Sequence, residues 1–167
     1  MNRHHARFAA MRLSLAAVLI GGGCAIPAFA ADVSALDKLN GSWSGTGRVT
    51  FEGGKSERLS CRAYYRGANG DRNRSFSIRC ASASGKVELR AALSLAGANV
   101  TGKWEERQHN ATGALSGRVS SQSLRLQISG GVSGGLSVNL SGTNRHTVSL
   151  RSSGSTLQGV EIGLSRI

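Results

Sequence analysis

From residue 41 onward, apolar residues fall on alternate positions, and no other feature of this sequence restricts its fold so tightly. Ten runs keep the rhythm: Trp43, Val49 and Phe51; Leu59, Cys61, Ala63 and Tyr65; Phe76, Ile78 and Cys80; Val87 to Leu95; Val100, Gly102 and Trp104; Gly113 to Val119; Leu124, Leu126 and Ile128; Leu136, Val138 and Leu140; His146, Val148 and Leu150; Val160, Ile162 and Leu164. A period of two places successive side chains on opposite faces of a strand, so each run has one dry and one wet face. Turn clusters separate the runs, among them Glu52-Gly53-Gly54, Asn69-Gly70-Asp71, Gly130-Gly131 and Ser152-Ser153-Gly154. Short strands joined by tight turns predict an antiparallel meander. A row of ten strands leaves two unpaired edges unless it closes on itself. The expectation is therefore an all-β fold: a single closed or nearly closed up-and-down barrel of eight to ten strands, preferred over a two-sheet sandwich. A β-solenoid would need a regular repeat, and none occurs. Residues 112–143 are rich in Ser and Gly but keep the alternation, so they read as strands rather than as a linker.

The first thirty residues follow different rules. Met1 to Arg7 is basic, Leu13 to Ile26 is apolar, and Ala28-Phe29-Ala30 is a small-x-small site. These are the three parts of a secretory signal peptide. The apolar run falls short of the roughly 18 residues a membrane span needs. Cys24 admits a lipidated alternative, but Gly21 stands where such signals carry a larger apolar residue. The expected organisation is a cleaved leader, 1–30, and one domain, 31–167, with a short helical lead-in over 31–40. In that lead-in Val33, Leu36 and Leu39 recur at a spacing of three behind a capping Asp32. The expected location is periplasmic or secreted.

Removing thirty residues from 167 leaves 137, enough for one core. Three of the 21 cations and none of the nine acids lie in the leader, so the mature net charge is +9. Two cysteines remain, Cys61 and Cys80, and an even pair in an exported chain reads as a disulfide. In an antiparallel hairpin, directly opposed residues have a constant index sum. Cys61 and Cys80 sum to 141, which centres the turn between Gly70 and Asp71, where the turn residues stand. The same register opposes Tyr65 to Phe76 and Ala63 to Ile78, apolar against apolar.

Candidate sites are few. On the second run Arg58, Arg62 and Arg66 occupy the wet phase, and Arg48, Arg79 and Arg90 do so on neighbouring runs. If the first four strands pair in order, these six share one face, which suits an anionic envelope component or an acidic protein partner. A merely solubilising exterior, tempered by Glu57 and Glu88, is the plainer reading. Glu105, Glu106 and His109 fall in a wet turn and supply too few convergent ligands for a metal site. His146 lies on the apolar phase and is expected to be a hydrogen-bonded core or rim residue. No catalytic motif, phosphate loop or cofactor fingerprint occurs, so no catalytic residue, metal or cofactor is assigned. Single-strand nucleic-acid binders interleave aromatic platforms with cations. Here every aromatic of the domain except Tyr64 is on the dry phase, so nucleic acid is not an expected partner.

The segment Leu39-Asn40-Gly41-Ser42-Trp43, a Gly-x-Trp at the entry to the first strand, resembles the opening of calycin-type barrels: lipocalins, avidins and small barrel inhibitors of secreted proteases. It is similar, too, to small exported proteins of unknown function with that opening. The resemblance implies that Trp43 closes one barrel end beneath a basic side chain of the last strand, where Arg166 stands. A second Gly-x-Trp, Gly102-Lys103-Trp104, makes Trp104 a further barrel-end residue. Other lipocalin motifs and the avidin binding-loop tryptophans are missing.

Together these features predict an exported, non-enzymatic binding or interaction module acting through its basic face, with no transmembrane span; oligomeric state is left open. One alternative is a carrier of small apolar ligands in the barrel interior. Many inward positions are small, namely Gly47, Ala63, Ala91, Gly102, Gly113 and Gly117, and either let the walls close or leave room. A second alternative is a protease-inhibitor barrel using a protruding Ala31–Leu39.

Overall fold

The structure, a computed structural model, describes residues 36–68 and 70–167. The leader, its cleavage site, Cys24 and the first part of the lead-in lie outside the described residues.

Ten strands form one closed antiparallel barrel. They are β1 (Gly41–Phe51), β2 (Ser56–Arg66), β3 (Asn73–Ala81), β4 (Lys86–Ala96), β5 (Asn99–Glu106), β6 (Ala111–Val119), β7 (Ser123–Gly130), β8 (Ser133–Leu140), β9 (Arg145–Ser153) and β10 (Leu157–Arg166). Each strand pairs with its sequence neighbours, and β10 closes the ring on β1, with Trp43 opposite Arg166 and Val49 opposite Val160. Closure removes both edges. The alternation decides what lies inside. Every strand contributes buried side chains to one core that also takes in Leu36 and Leu39 of the lead-in. The outer wall is polar, and Ile167 is the one large apolar residue exposed among the described residues. That is the reverse of a membrane barrel, whose apolar band faces outward.

The hairpin expected from the cysteines forms in the expected register: Cys61 opposes Cys80, Ala63 opposes Ile78, and Tyr65 opposes Phe76. The two sulfurs are bonded, with Cα atoms 4.1 Å apart. The small inward residues let the walls close. A Cβ on Gly113 would collide with the Ser129 carbonyl and with the Trp104 indole nitrogen. A bare α-carbon there leaves room for the Ser129 carbonyl of β7 and for the Trp104 indole nitrogen.

One end of the barrel is sealed. Leu36–Leu39 forms a single helical turn across it, over the buried Trp43. The Trp43 indole donates to the Leu39 carbonyl at 2.7 Å. Arg166 lies over the Trp43 ring at 4.3 Å and donates to the carbonyls of Lys38 and Asn40. Gly41, at φ 121°, makes room: a Cβ there would come within 2.7 Å of the Arg166 guanidinium. The Gly-x-Trp opening thus has a local explanation in this chain, since glycine admits the arginine that the tryptophan carries. Trp104 lies near the opposite end of the barrel, with its indole donating to the Ser129 carbonyl at 3.1 Å.

Candidate anion-binding face

Strand pairing sets the outer wall. Arg48, Arg58, Arg62, Arg66 and Arg79 are all exposed on it, and Arg90 is half-buried. Two pairs are direct cross-strand neighbours: Arg48 with Arg58 across β1 and β2, and Arg62 with Arg79 across β2 and β3. Like charges placed directly opposite repel across a sheet, and one member of each pair also faces an acid on its other side: Arg48 opposes Glu161 on β10, and Arg79 opposes Glu88 on β4. A third pair, Arg118 with Arg125, lies on β6 and β7.

Neutralisation is uneven. Glu88 takes Arg90 at 2.6 Å and Arg79 at 3.2 Å. The hydrogen bond from Arg90, with a weaker one from Arg79, holds the Glu88 carboxyl below its usual range. Arg90 is therefore largely spent, and Arg79 is shared. Arg48 donates to the Ser56 hydroxyl at 3.0 Å. Arg58, Arg62 and Arg66 make no ion pair among the described residues.

Two surface grooves coincide with the two pairs. One, of about 420 Å³, includes Arg62, Arg79, Tyr64, Lys86 and Glu88. The other, of about 470 Å³, includes Arg48, Arg58, Glu161 and the bare backbone of Gly47 and Gly163. Counting charged groups, the first groove holds three cations against one acid, and the second two against one.

Sequence reasoning missed two polar residues turned into the barrel. Arg74 is buried near the sealed end, where it pairs with Asp37 of the lead-in at 2.5 Å and donates to the Ala68 carbonyl. Glu106 is buried at the other end. Burial pushes its carboxyl up, but hydrogen bonds from the Gln108 and His109 amides, the His109 ring and the Glu88 amide outweigh that and hold it below the usual range. Both residues share the phase of their apolar neighbours, Arg74 with Phe76 and Glu106 with Trp104. The turn trio divides accordingly: His109 meets Glu106 at 2.8 Å, while Glu105 is exposed and reaches only Arg107. No group of three metal-type side chains forms among the described residues. His146 is buried as its phase predicts. Its Nε2 lies 2.9 Å from the Tyr65 hydroxyl, and its ring meets Trp43 edge-on at 4.4 Å. Burial, with Arg166 nearby, lowers its pKa to about 4.

The fold and this wall define a closed ten-stranded antiparallel barrel with an apolar core and cross-strand arginine pairs on its outer wall, two of them on β1–β3. No family model matches the chain, and no curated protein matches it. Among solved structures, it is similar to Rv2717c from M. tuberculosis at 18% identity and a TM-score of 0.65, over 81% of this chain and 97% of that one. Two other similar structures are barrels of human design. One is mFAP1, a redesigned barrel bound to DFHBI, at 10% identity, 80% and 99% coverage and a TM-score of 0.49. The other is a fluorescence-activating barrel designed de novo, at 11% identity, 80% and 98% coverage and a TM-score of 0.46. At such identities the likeness to Rv2717c speaks to the fold alone.

Proposed function

We propose that this protein is an exported, non-enzymatic binding module that holds an anionic partner on the outer wall of β1–β3. One observation carries the reading: two like-charged arginine pairs sit opposed across strands, each within its own groove. An anion seated between two such guanidiniums converts a mutual repulsion into two charge-assisted hydrogen bonds. The disulfide fits an oxidising compartment, which supports a periplasmic or secreted location. The Gly41-Ser42-Trp43 opening beneath Arg166 supports kinship with calycin-type barrels.

A charge-matched comparison tests this. Replacing Arg48, Arg58, Arg62 and Arg79 together by Gln should weaken retention on an immobilised polyanion such as dextran sulfate and flatten its salt dependence. Replacing Lys103, Arg107, Arg145 and Arg151 by Gln removes as much charge from elsewhere on the surface, without touching an opposed arginine pair, and should do less. Equal losses would overturn the reading in favour of a uniformly solubilising exterior.

The carrier alternative keeps one supporting feature, the half-buried apolar residues at the unsealed end, including Phe51, Leu89, Leu150 and Leu157. The inhibitor alternative is weakened, since Leu36–Leu39 is tied down rather than protruding.

A further inference from the structure

We infer that the anion held by the Arg62/Arg79 groove is the carboxylate of an acidic polysaccharide, a chain containing uronic acid residues. The inference rests on the reading of this wall as anion-binding and names its ligand class.

Three observations point to a sugar chain. First, the groove combines cations with an aromatic ring. Tyr64 lies on the outer phase of β2, half-buried, between Arg62 and Arg66. Its cross-strand neighbours are Ser42 on β1 and Ser77 on β3, side chains too short to cover a phenol ring. A ring flanked by small residues and set among cations can take the apolar face of a pyranose while a guanidinium takes its carboxylate. Second, the arginine geometry suits planar carboxylates. Guanidinium presents a rigid fork that matches a carboxylate or a phosphate with two parallel hydrogen bonds, where lysine offers a point charge, so it is the neighbouring ring that selects a sugar acid. Third, the site is linear. Arg58, Arg62 and Arg66 recur every four residues along β2, about 13 Å apart at 3.3 Å per residue, with Arg48 beside the first and Arg79 beside the second. A straight row of positive positions on a polar wall suits an extended polymer with charges at intervals.

Other anionic surfaces fit less well. Lipid bilayers are held by cations together with apolar side chains that enter the interface, and this wall carries no exposed large apolar residue among the described residues. Single-stranded nucleic acid asks for successive aromatic platforms, and Tyr64 is the one aromatic that β1–β3 turn outward.

The test compares four probes by calorimetry at low salt: oligogalacturonate, its methyl-esterified neutral form, inorganic polyphosphate, and vesicles containing phosphatidylglycerol. The proteins are wild type, Arg62→Gln/Arg79→Gln and Tyr64→Ser. Both variants change exposed or half-exposed side chains, and a melting curve verifies that each remains folded. Oligogalacturonate should bind, and its methyl ester should not. The double arginine variant should lose affinity for it by about tenfold or more. Tyr64→Ser should lose severalfold for oligogalacturonate and leave polyphosphate unchanged, because stacking is specific to the sugar ring. If polyphosphate or vesicles bind as tightly as oligogalacturonate and Tyr64→Ser is silent, the polysaccharide inference falls while the anion-binding reading stands. If no anionic probe binds, both fall.

Discussion

The two ends of the barrel are built from the same alternation and finished differently. At the sealed end Trp43, Leu39, Leu164 and His146 are fully buried, and polar groups fix the cover in place: Arg166 on the Lys38 and Asn40 carbonyls, Arg74 on Asp37. At the other end Phe51, Leu89, Ile128, Leu150, Leu157 and Val160 are only partly buried, as Tyr65, Phe76 and Leu140 are at the sealed end, but the polar contacts hold turns rather than a cover: Glu106 closes its own turn, and Glu57 of β2 holds the turn between β3 and β4. Ser84 holds the Glu57 carboxyl down to about 2 through its hydroxyl and amide, together with Ser82. A closed ring of strands does not by itself make a tight molecule. The sealed end gains its burial from a segment outside the sheet, and the other end has no equivalent among the described residues.

That contrast can be broken or sharpened by mutation. The largest effect should come from Trp43→Ala, which empties the most buried site of the sealed end and releases Arg166. It should cost about 4 kcal/mol in urea unfolding, and a loss under about 1 kcal/mol would mean the cover is decorative. Next comes the disulfide. The chain-entropy model gives a bridge closing a loop of this size about 3 kcal/mol, so reduction should lower the melting temperature by several degrees. Because Cys80 lies toward the unsealed end of β3, amide exchange should rise there more than around Trp43.

Acid should act on the sealed end through His146. Its folded pKa of about 4 lies below the ordinary value of 6.5, so the unfolded chain binds the proton first. Stability is therefore full above about pH 6.5 and is lost as pH falls toward 4, by up to roughly 3 kcal/mol. His146→Gln should be less stable at about pH 7 but should lose less than wild type on acidification to about pH 4.5. Parallel curves would show that the imidazole is not the group that titrates. The smallest effect should be Leu157→Ala at the unsealed end, about 1 kcal/mol or less, since half-buried apolar area is only partly removed from water. A cost near that of Trp43→Ala would erase the difference between the ends.

The alternation and the turn clusters made ten strands and their faces legible, because each pattern arises from contacts within a strand or across one hairpin. The cysteine pair went further and set a register. That register also opposes Arg62 to Arg79, since both pairs share the index sum 141, so one of the like-charged contacts was readable from the start. Arg74 and Glu106 were not read as inward residues, although their phase said so, because a buried charge is credible only once its partners are known. Those partners, Asp37 and the amides of 108 and 109, depend on how the chain folds over the barrel ends. The grooves were invisible for the same reason: they arise from the relation of three adjacent strands and from backbone left bare at Gly47 and Gly163.

The contact between Arg166 and Asn40 joins residues 126 positions apart. Nine of the barrel's ten seams are hairpins between successive strands and close short loops. The tenth, β1 on β10, waits for the last strand. Until that seam closes, the folding chain is an open, curled sheet with both margins bare, and seams of such long sequence separation form slowly. The seam that defines the finished ring is thus the last to assemble, and a chain cut short before β10 would expose the inner apolar edges of β1 and β9 together.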